Sequence, residues 1–212
     1  MKNNRFSTLV LVAFFVLASS AAVAQAPTNA KIEFTQKDRL FAVKYMDETK
    51  ADYLGQLSGL SDAQLNFRAA PGRWTIAEIA EHITVVEETL FGMMTTGAMK
   101  PEAAKCDSPF RVSDGMIIGA VTNRTRKATA PEQVVPNGRW KTVPTLMASF
   151  EKTRGTTMEF MKNNKADLRN LFGPSPFGTV DGVQQMLFIV AHSERHLAQL
   201  KEVKADPNFP KK

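Results

Sequence analysis

Apolar residues recur at helical spacing along most of this chain, and no segment alternates apolar and polar residues for long enough to build a sheet. Residues 76–90 show the pattern clearly. Their large aliphatic side chains fall on one face of a helix, and these are Ile76, Ile79, Ile83, Val86 and Leu90. The periodicity therefore predicts an all-α protein. Four main helices joined by some long connections make a four-helix bundle.

Capping residues indicate where the first two long helices begin. The first helix is predicted at about residues 33–57, with Thr35 as its cap. Its expected apolar positions are Leu40, Phe41, Met46, Leu54 and Leu57. The second helix begins at Thr75, which can form a capping box with Glu78 because each side chain can bond the other residue's backbone N–H.

Similar signals place the remaining helices. A shorter helix is predicted from Ser113 to about residue 127, and a third long helix starts after Thr142, where Pro144 suits the first turn. The last helix is predicted at about residues 181–204. Residues 95–110 and the Gly- and Pro-rich run 173–178 are predicted to be connections.

The N-terminus has the anatomy of a secretory signal peptide. Lys2 and Arg5 precede an uninterrupted apolar run at residues 9–18, and small residues at 21–24 favour cleavage after Ala24. An uncleaved membrane anchor is the alternative, but the run is shorter than the roughly 20 residues that a membrane span needs. We therefore expect residues 1–24 to be removed and the protein to be exported, periplasmic or secreted, without a stable membrane anchor.

The mature chain is predicted to be a single helical-bundle domain at residues 25–212. Loss of Lys2 and Arg5 lowers the formal net charge from +6 to +4. The remaining basic residues are scattered, and no aromatic residues interleave with them. This distribution argues against a nucleic-acid-binding protein.

The chain has only three histidines, and their spacing suits a metal site. His192 and His196 are four residues apart on a predicted helix, so their imidazoles share one face and can bind the same divalent cation. His82 lies on another predicted helix. If the two helices pack together, three histidines would leave one coordination position open, as in working rather than structural zinc sites. Imidazole ligands suit Zn, Ni and Fe alike.

Glu78 has three possible roles. It can complete the capping box, accept a hydrogen bond from the ring N–H of His82, or act as a general base. We favour the capping role or the support of His82 over a catalytic role. Trp74 is expected to pack at the start of the same helix, with substrate contact as the alternative.

Other polar residues near the histidines have less specific signals. Gln199 follows His196 by about one turn, so it can orient that ring or face the open position. Glu194 points away from both histidines of its helix and is expected to be a surface charge, whereas Arg195 can pair with an acid or bind an anion. Lone Cys106 cannot form an internal disulfide. It can be a free thiol or a fourth metal ligand, but we expect it to have no special role.

Two sequence blocks resemble the DinB-like superfamily, one at Trp74, Glu78 and His82, the other at His192, Arg195, His196 and Gln199. The resemblance covers about residues 33–206. It implies a four-helix bundle, often dimeric, in which His82, His192 and His196 hold a divalent metal. Some relatives are thiol-dependent transferases or isomerases, and others are suspected metal-dependent hydrolases. Low-molecular-weight thiols are chiefly cytosolic, so the predicted export argues against a transferase.

Three functions follow from these observations. The protein is expected to be a metal-dependent, hydrolase-like enzyme acting on a small molecule that the sequence does not identify. One alternative is a thiol-dependent S-transferase or isomerase. The other is a protein that binds a metal or a small ligand without turnover.

Intact mass and N-terminal sequencing of the protein from the periplasmic or secreted fraction test the predicted export. We expect a mature chain that begins at Gln25, because the small residues before it suit signal peptidase. A full-length chain recovered with the membrane fraction would contradict the prediction.

Overall fold

The computed structural model describes residues 33–98, 112–125 and 129–211. In chain order its helices and strands are α1 (Gln36–Leu57), α2 (Asp62–Leu65), α3 (Ile76–Met93), α4 (Asp114–Thr122), α5 (Val143–Asn163), β1 (Phe172–Ser175), β2 (Gly178–Asp181) and α6 (Gly182–Lys204). A π-helical turn (Met94–Ala98) extends α3, and 3-10 turns occur at Glu132–Val134 and Leu168–Asn170. No helix in these ranges is long and apolar enough to span a membrane. The predicted signal peptide and Cys106 lie outside the described residues.

Each long helix begins at a residue whose side chain accepts a backbone N–H from the first turn. The caps of α1, α3, α5 and α6 are Thr35, Thr75, Thr142 and Asp181. Such a cap typically stabilises a helix by about 1 kcal/mol. The predicted helix starts are confirmed, because a cap depends only on residues within one turn.

The four long helices form the predicted bundle. Helix α6 packs against α1 and α3, and α5 packs against the same two helices from the opposite side. Their order around the bundle is therefore α1, α5, α3, α6. The short helix α4 packs on the outside of α6. This arrangement places α3 and α6, which carry the three histidines, next to each other.

Two apolar clusters lie along the bundle. The buried members of the Phe150 cluster are Tyr53, Leu57, Leu65, Ile76, Ile79, Ala80, Ile83, Leu146, Phe150, Leu197, Leu200 and Val203. The buried members of the Met186 cluster are Ala42, Met46, Met94, Met161, Leu168, Val183, Met186, Leu187, Ile189 and Val190. Removal of these side chains from water is the main favourable contribution to folding.

A buried polar layer separates the two clusters and joins all four long helices. Arg154 of α5 is fully buried and forms a bidentate ion pair with Glu87 of α3, with N···O distances of 2.7 Å for both Nε–Oε1 and Nη2–Oε2. The guanidinium also donates to α1, at Thr49 Oγ1 (2.6 Å) and the Met46 carbonyl (2.8 Å). It donates as well to Ser193 Oγ of α6, at 3.0 Å. The layer thus fixes the heights of the four helices relative to one another.

Two local expectations are wrong. Leu40 and Phe41 are 62% and 49% exposed, because the buried face of α1 follows a different stripe that comprises Ala42, Met46, Thr49, Tyr53 and Leu57. The run predicted as a connection at residues 173–178 contains most of an antiparallel hairpin, in which Phe172 pairs with Asp181 and Ser175 with Gly178. The strands are too short to show an alternating pattern, so only their packing beside α6 reveals them.

Replacement of Arg154 by Ala tests the polar layer. We expect a loss of about 3–5 kcal/mol in the free energy of unfolding, because the Glu87 carboxylate would stay buried without its partner. The double variant Arg154→Met/Glu87→Leu should recover most of this loss, since it removes both charges. Urea unfolding measures both, with the exposed substitution Lys152→Ala as the control on the same helix. A loss below about 1 kcal/mol for Arg154→Ala would contradict the assigned role.

Candidate metal centre

The structure brings the three histidines together. His82 of α3 is buried, and His192 and His196 of α6 are half-buried. One ligand nitrogen from each ring lies within 4.8 Å of the other two. The ring centroids are 5.0 Å apart for His82 and His192, 4.6 Å for His82 and His196, and 4.5 Å for the two histidines of α6. The site therefore combines a local pair on one helix with a partner from the helix beside it.

Hydrogen bonds set the tautomer of two of the rings. His82 Nδ1 lies 2.8 Å from the carbonyl oxygen of Val134, which can only accept, so Nδ1 carries the proton. His196 Nδ1 similarly bonds Gln199 Oε1 at 2.8 Å. In both rings the lone pair is then on Nε2, which is the nitrogen left to bind a cation.

Glu81 anchors the loop that supports His82, a role that was not predicted from the sequence. Its carboxylate is 6% exposed and accepts three successive backbone N–H groups at 2.9, 3.1 and 3.1 Å, those of Asn137, Gly138 and Arg139. Only Val135 and Pro136 separate these residues from the turn that carries the Val134 carbonyl. The sequence signal for this role was an acidic residue next to His82 on a largely buried helix. The loop it anchors could not be identified from that signal, because it lies more than 50 residues away in the chain.

The carboxylate of Glu78 bonds Thr75 and Arg68, whereas the contact expected for the support of His82 was with the ring of that histidine. Its carboxylate accepts the Thr75 N–H at 2.7 Å and pairs with Arg68 at 2.8 Å. Burial opposes ionisation of this carboxyl, but the hydrogen bonds and the charge of Arg68 outweigh it and lower its pKa. Glu78 lines a cleft of about 1030 Å³ to which none of the three histidines contributes. The capping role is observed, the support of His82 is provided by Val134 instead, and the catalytic role stays a prediction.

The flanking residues of α6 make structural contacts. Arg195 donates to the carbonyls of Val121, at 3.1 Å, and of Asn123, so it holds the C-terminal end of α4 against α6. Both of these contacts are with backbone carbonyls. The acid partner or anionic ligand expected for Arg195 stays a prediction. Glu194 accepts a hydrogen bond from Tyr45 at the surface, on a different side of the helix from the histidines.

Aromatic side chains flank the histidines. The Trp74 ring lies 4.7 Å from the His82 ring and 6.2 Å from the His196 ring, measured between centroids. Trp74 also packs against the Phe150 cluster, as its expected packing role requires. At the other end of the site the Phe188 ring lies 6.4 Å from His192. The rings limit the access of water to the imidazoles.

This environment keeps the imidazoles neutral. Burial lowers the pKa of His196 to about 3. Repulsion from His82, when that ring is protonated, and from Arg195 acts on this pKa in the same direction, against a smaller opposite effect of the hydrogen bond to Gln199. Burial also holds the pKa of His192 well below its ordinary value of 6.5. The pKa of His82 is lowered by burial too, against a smaller opposite effect of its bond to Val134. At neutral pH all three rings therefore have a lone pair available for a cation.

The donor set fits a divalent transition metal. Three nitrogens that bind one tetrahedral cation at about 2.1 Å lie roughly 3.4 Å from one another. The observed separations, all within 4.8 Å, leave only a small inward adjustment. Neutral imidazoles suit Zn, Ni and Fe, and they do not distinguish among these metals.

Comparisons with known proteins agree with this architecture. Residues 45–200 match the family model of the DinB superfamily. The chain is 25% identical over 159 residues to the uncharacterised protein YuaE of Bacillus subtilis (strain 168), a match that covers 74% of this chain and 94% of YuaE. Its fold is similar to that of YfiT from Bacillus subtilis, with a TM-score of 0.54, 11% sequence identity, and coverage of 87% of this chain and 94% of YfiT. YfiT is described as a probable metal-dependent hydrolase with an unusual four-helix bundle topology.

Replacement of Glu81 by Gln tests the support of His82. Gln has a single acceptor oxygen for three N–H groups, so the loop that presents the Val134 carbonyl should loosen. We expect the affinity for Zn²⁺ to fall by about 10- to 100-fold, measured by competition with a chromophoric chelator.

Glu78→Gln is the matched control on the same helix, because Gln can still complete the capping box. This control should bind Zn²⁺ as tightly as the wild type. Equal affinities for all three proteins would mean that Glu81 does not support the site.

Proposed function

The chain belongs to the DinB superfamily, and on that premise we propose that it is an exported, divalent-metal-dependent hydrolase with His82, His192 and His196 as metal ligands. The observation that carries the proposal is the convergence of three neutral imidazoles from two packed helices. The similarity of the fold to that of YfiT, itself a probable metal-dependent hydrolase, adds support. The export component rests on the N-terminal sequence alone.

The ligand set favours catalysis over a purely structural role. Three protein ligands leave a position open, whereas structural sites are usually closed by a fourth. When bound, a divalent cation would supply Lewis acidity, which polarises a carbonyl oxygen and lowers the pKa of water at the open position. Because all three imidazoles are neutral, they leave the charge of the cation uncompensated, and this enhances both effects.

The residues around the histidines keep the site in its binding geometry. Val134 and Gln199 hold the Nδ1 protons of His82 and His196, so those rings do not need to reorient when a cation binds. Trp74 and Phe188 cover part of the imidazoles, and reduced contact with water strengthens electrostatic interactions.

Hydrolysis of an ester or amide fits this site. Water adds across the acyl bond, so that the acyl carbon gains the hydroxyl group and the leaving alcohol or amine takes the proton. No oxidant or reductant is required. The imidazoles stay neutral throughout as ligands, and a further group or solvent must carry the proton. The catalytic role of Glu78, the less favoured of its roles, would make it this carrier, although its observed contacts are those of a helix cap.

The variant His196→Ala tests the proposal. Metal content is measured by elemental analysis of the mature protein purified without a His-tag, and turnover is measured on ester and amide substrates. We expect the wild type to hold about one divalent ion per chain. Removal of a direct ligand should lower metal affinity and turnover by about 100-fold or more, while the fold survives because His196 lies at the border of the core.

Glu194→Ala is the matched control, since Glu194 lies between the two histidines in sequence but contacts Tyr45 at the surface. It should keep both metal and turnover. Absence of bound metal in the wild type would overturn the proposal. Tightly held metal without turnover would favour a non-catalytic binding protein, and turnover that depends on an added thiol would favour an S-transferase.

A further inference from the structure

A path of aromatic rings leads away from the histidines along α6 towards the β1–β2 hairpin. Phe188 lies one turn before His192, and its ring is nearly parallel to the imidazole, with 23° between the planes and 6.4 Å between the centroids. The Phe177 ring at the tip of the hairpin follows at 6.0 Å from Phe188, in an edge-to-face arrangement. The candidate metal centre is thus continuous with an apolar surface.

The hairpin holds Phe177 in a defined position. Ser175 Oγ accepts the backbone N–H of Phe177 at 3.0 Å and donates to the Gly178 carbonyl at 2.8 Å, so one hydroxyl braces the turn. Gln185 of α6 donates to the Pro174 carbonyl at 3.3 Å and joins the hairpin to the helix that carries the histidines. Hydrogen bonds within the turn, and one between the hairpin and α6, therefore hold Phe177 in a defined position relative to His192.

Phe188 is supported from behind by a third apolar cluster. The buried members of this cluster come from α4, β2 and α6, and they are Ile117, Val121, Val180 and Ala191. Phe188 itself is only half-buried, and Phe177 is 39% exposed. The support keeps the two rings in place and leaves part of their surface open.

A partly exposed aromatic ring is unusual at a tight turn, because turn residues are mostly small or polar. Phe177 contributes little to the main clusters of the bundle, of which it is not a member. Ligand sites typically combine apolar walls with a few polar groups that orient the ligand. Two rings that continue from three imidazoles have this composition.

We infer that Phe177 and Phe188 form a subsite for the apolar acyl or aryl group of the substrate. The inference rests on the proposed function and adds a substrate class to it, namely esters or amides of hydrophobic acids. The bond to be hydrolysed would lie at the histidines, and the apolar group would extend along α6 to the hairpin. The rings of His82 and His196 contact Trp74 instead, so the aromatic path to the hairpin starts at His192.

Hydroxamates of increasing chain length test the subsite without requiring turnover, because their head group binds a metal and their tail probes the rings. The mature protein loaded with Zn²⁺ is titrated calorimetrically with acetohydroxamate, hexanohydroxamate and octanohydroxamate. We expect the dissociation constant to fall roughly twofold for each added methylene, which is the gain for about half-complete burial.

Phe177→Ala should bind acetohydroxamate like the wild type and lose most of the gain from the longer tails. Phe177→Leu should keep part of that gain, because it retains an apolar side chain. Leu40→Ala is the matched control, since it removes an exposed apolar side chain from α1, and it should bind all three compounds like the wild type.

The binding data distinguish failure of the subsite from failure of the proposed function. If acetohydroxamate binds but longer tails bring no gain, or if Phe177→Ala keeps the full gain, the subsite is overturned and the metal site stands. If the Zn²⁺-loaded protein binds no hydroxamate, the open coordination position that the proposed hydrolase needs is overturned together with the subsite. A chain-length gain that depends on Phe177, without hydrolysis of any ester or amide, supports the subsite and counts against the hydrolase.

Discussion

The buried ion pair between Arg154 and Glu87 is the interaction on which the rest of this structure depends. It lies between two apolar clusters and, through Thr49 and Ser193, reaches all four long helices. Apolar contacts alone tolerate sliding of one helix along another, whereas a bidentate ion pair permits one height. Glu87 is little more than one turn beyond His82, and Ser193 directly follows His192. The same layer therefore sets the level at which α3 and α6 bring their histidines together.

His82 and His196, the two imidazoles with hydrogen-bond partners described above, are oriented by different means. His196 is oriented by Gln199 of its own helix, a contact that the helical repeat provides. His82 is oriented by a carbonyl on a distant loop, and that loop is in turn anchored by Glu81 of the histidine's own helix. Helix α3 thus contributes both the candidate ligand and the anchor of its support. A buried carboxylate that accepts three backbone N–H groups is well compensated, which explains why it can lie beside the core.

Membership of a superfamily and a shared fold constrain the reaction only loosely, because one fold supports many activities. The functional argument therefore depends on the site. Three imidazoles kept neutral by burial suit a cation, and the aromatic rings on either side suit an apolar ligand. Together they describe a candidate metal centre that is continuous with aromatic side chains leading to the hairpin.

The sequence by itself determined what depends on neighbours within about one turn. The caps at Thr35, Thr75, Thr142 and Asp181 and the shared face of His192 and His196 are local properties, so the bundle and half of the site were predictable. Tertiary structure alone decided the pairing of Arg154 with Glu87, the anchoring of a loop by Glu81 and the exposure of Leu40 and Phe41. These features join residues far apart in the chain or depend on which helix covers which face, and no periodicity records such contacts.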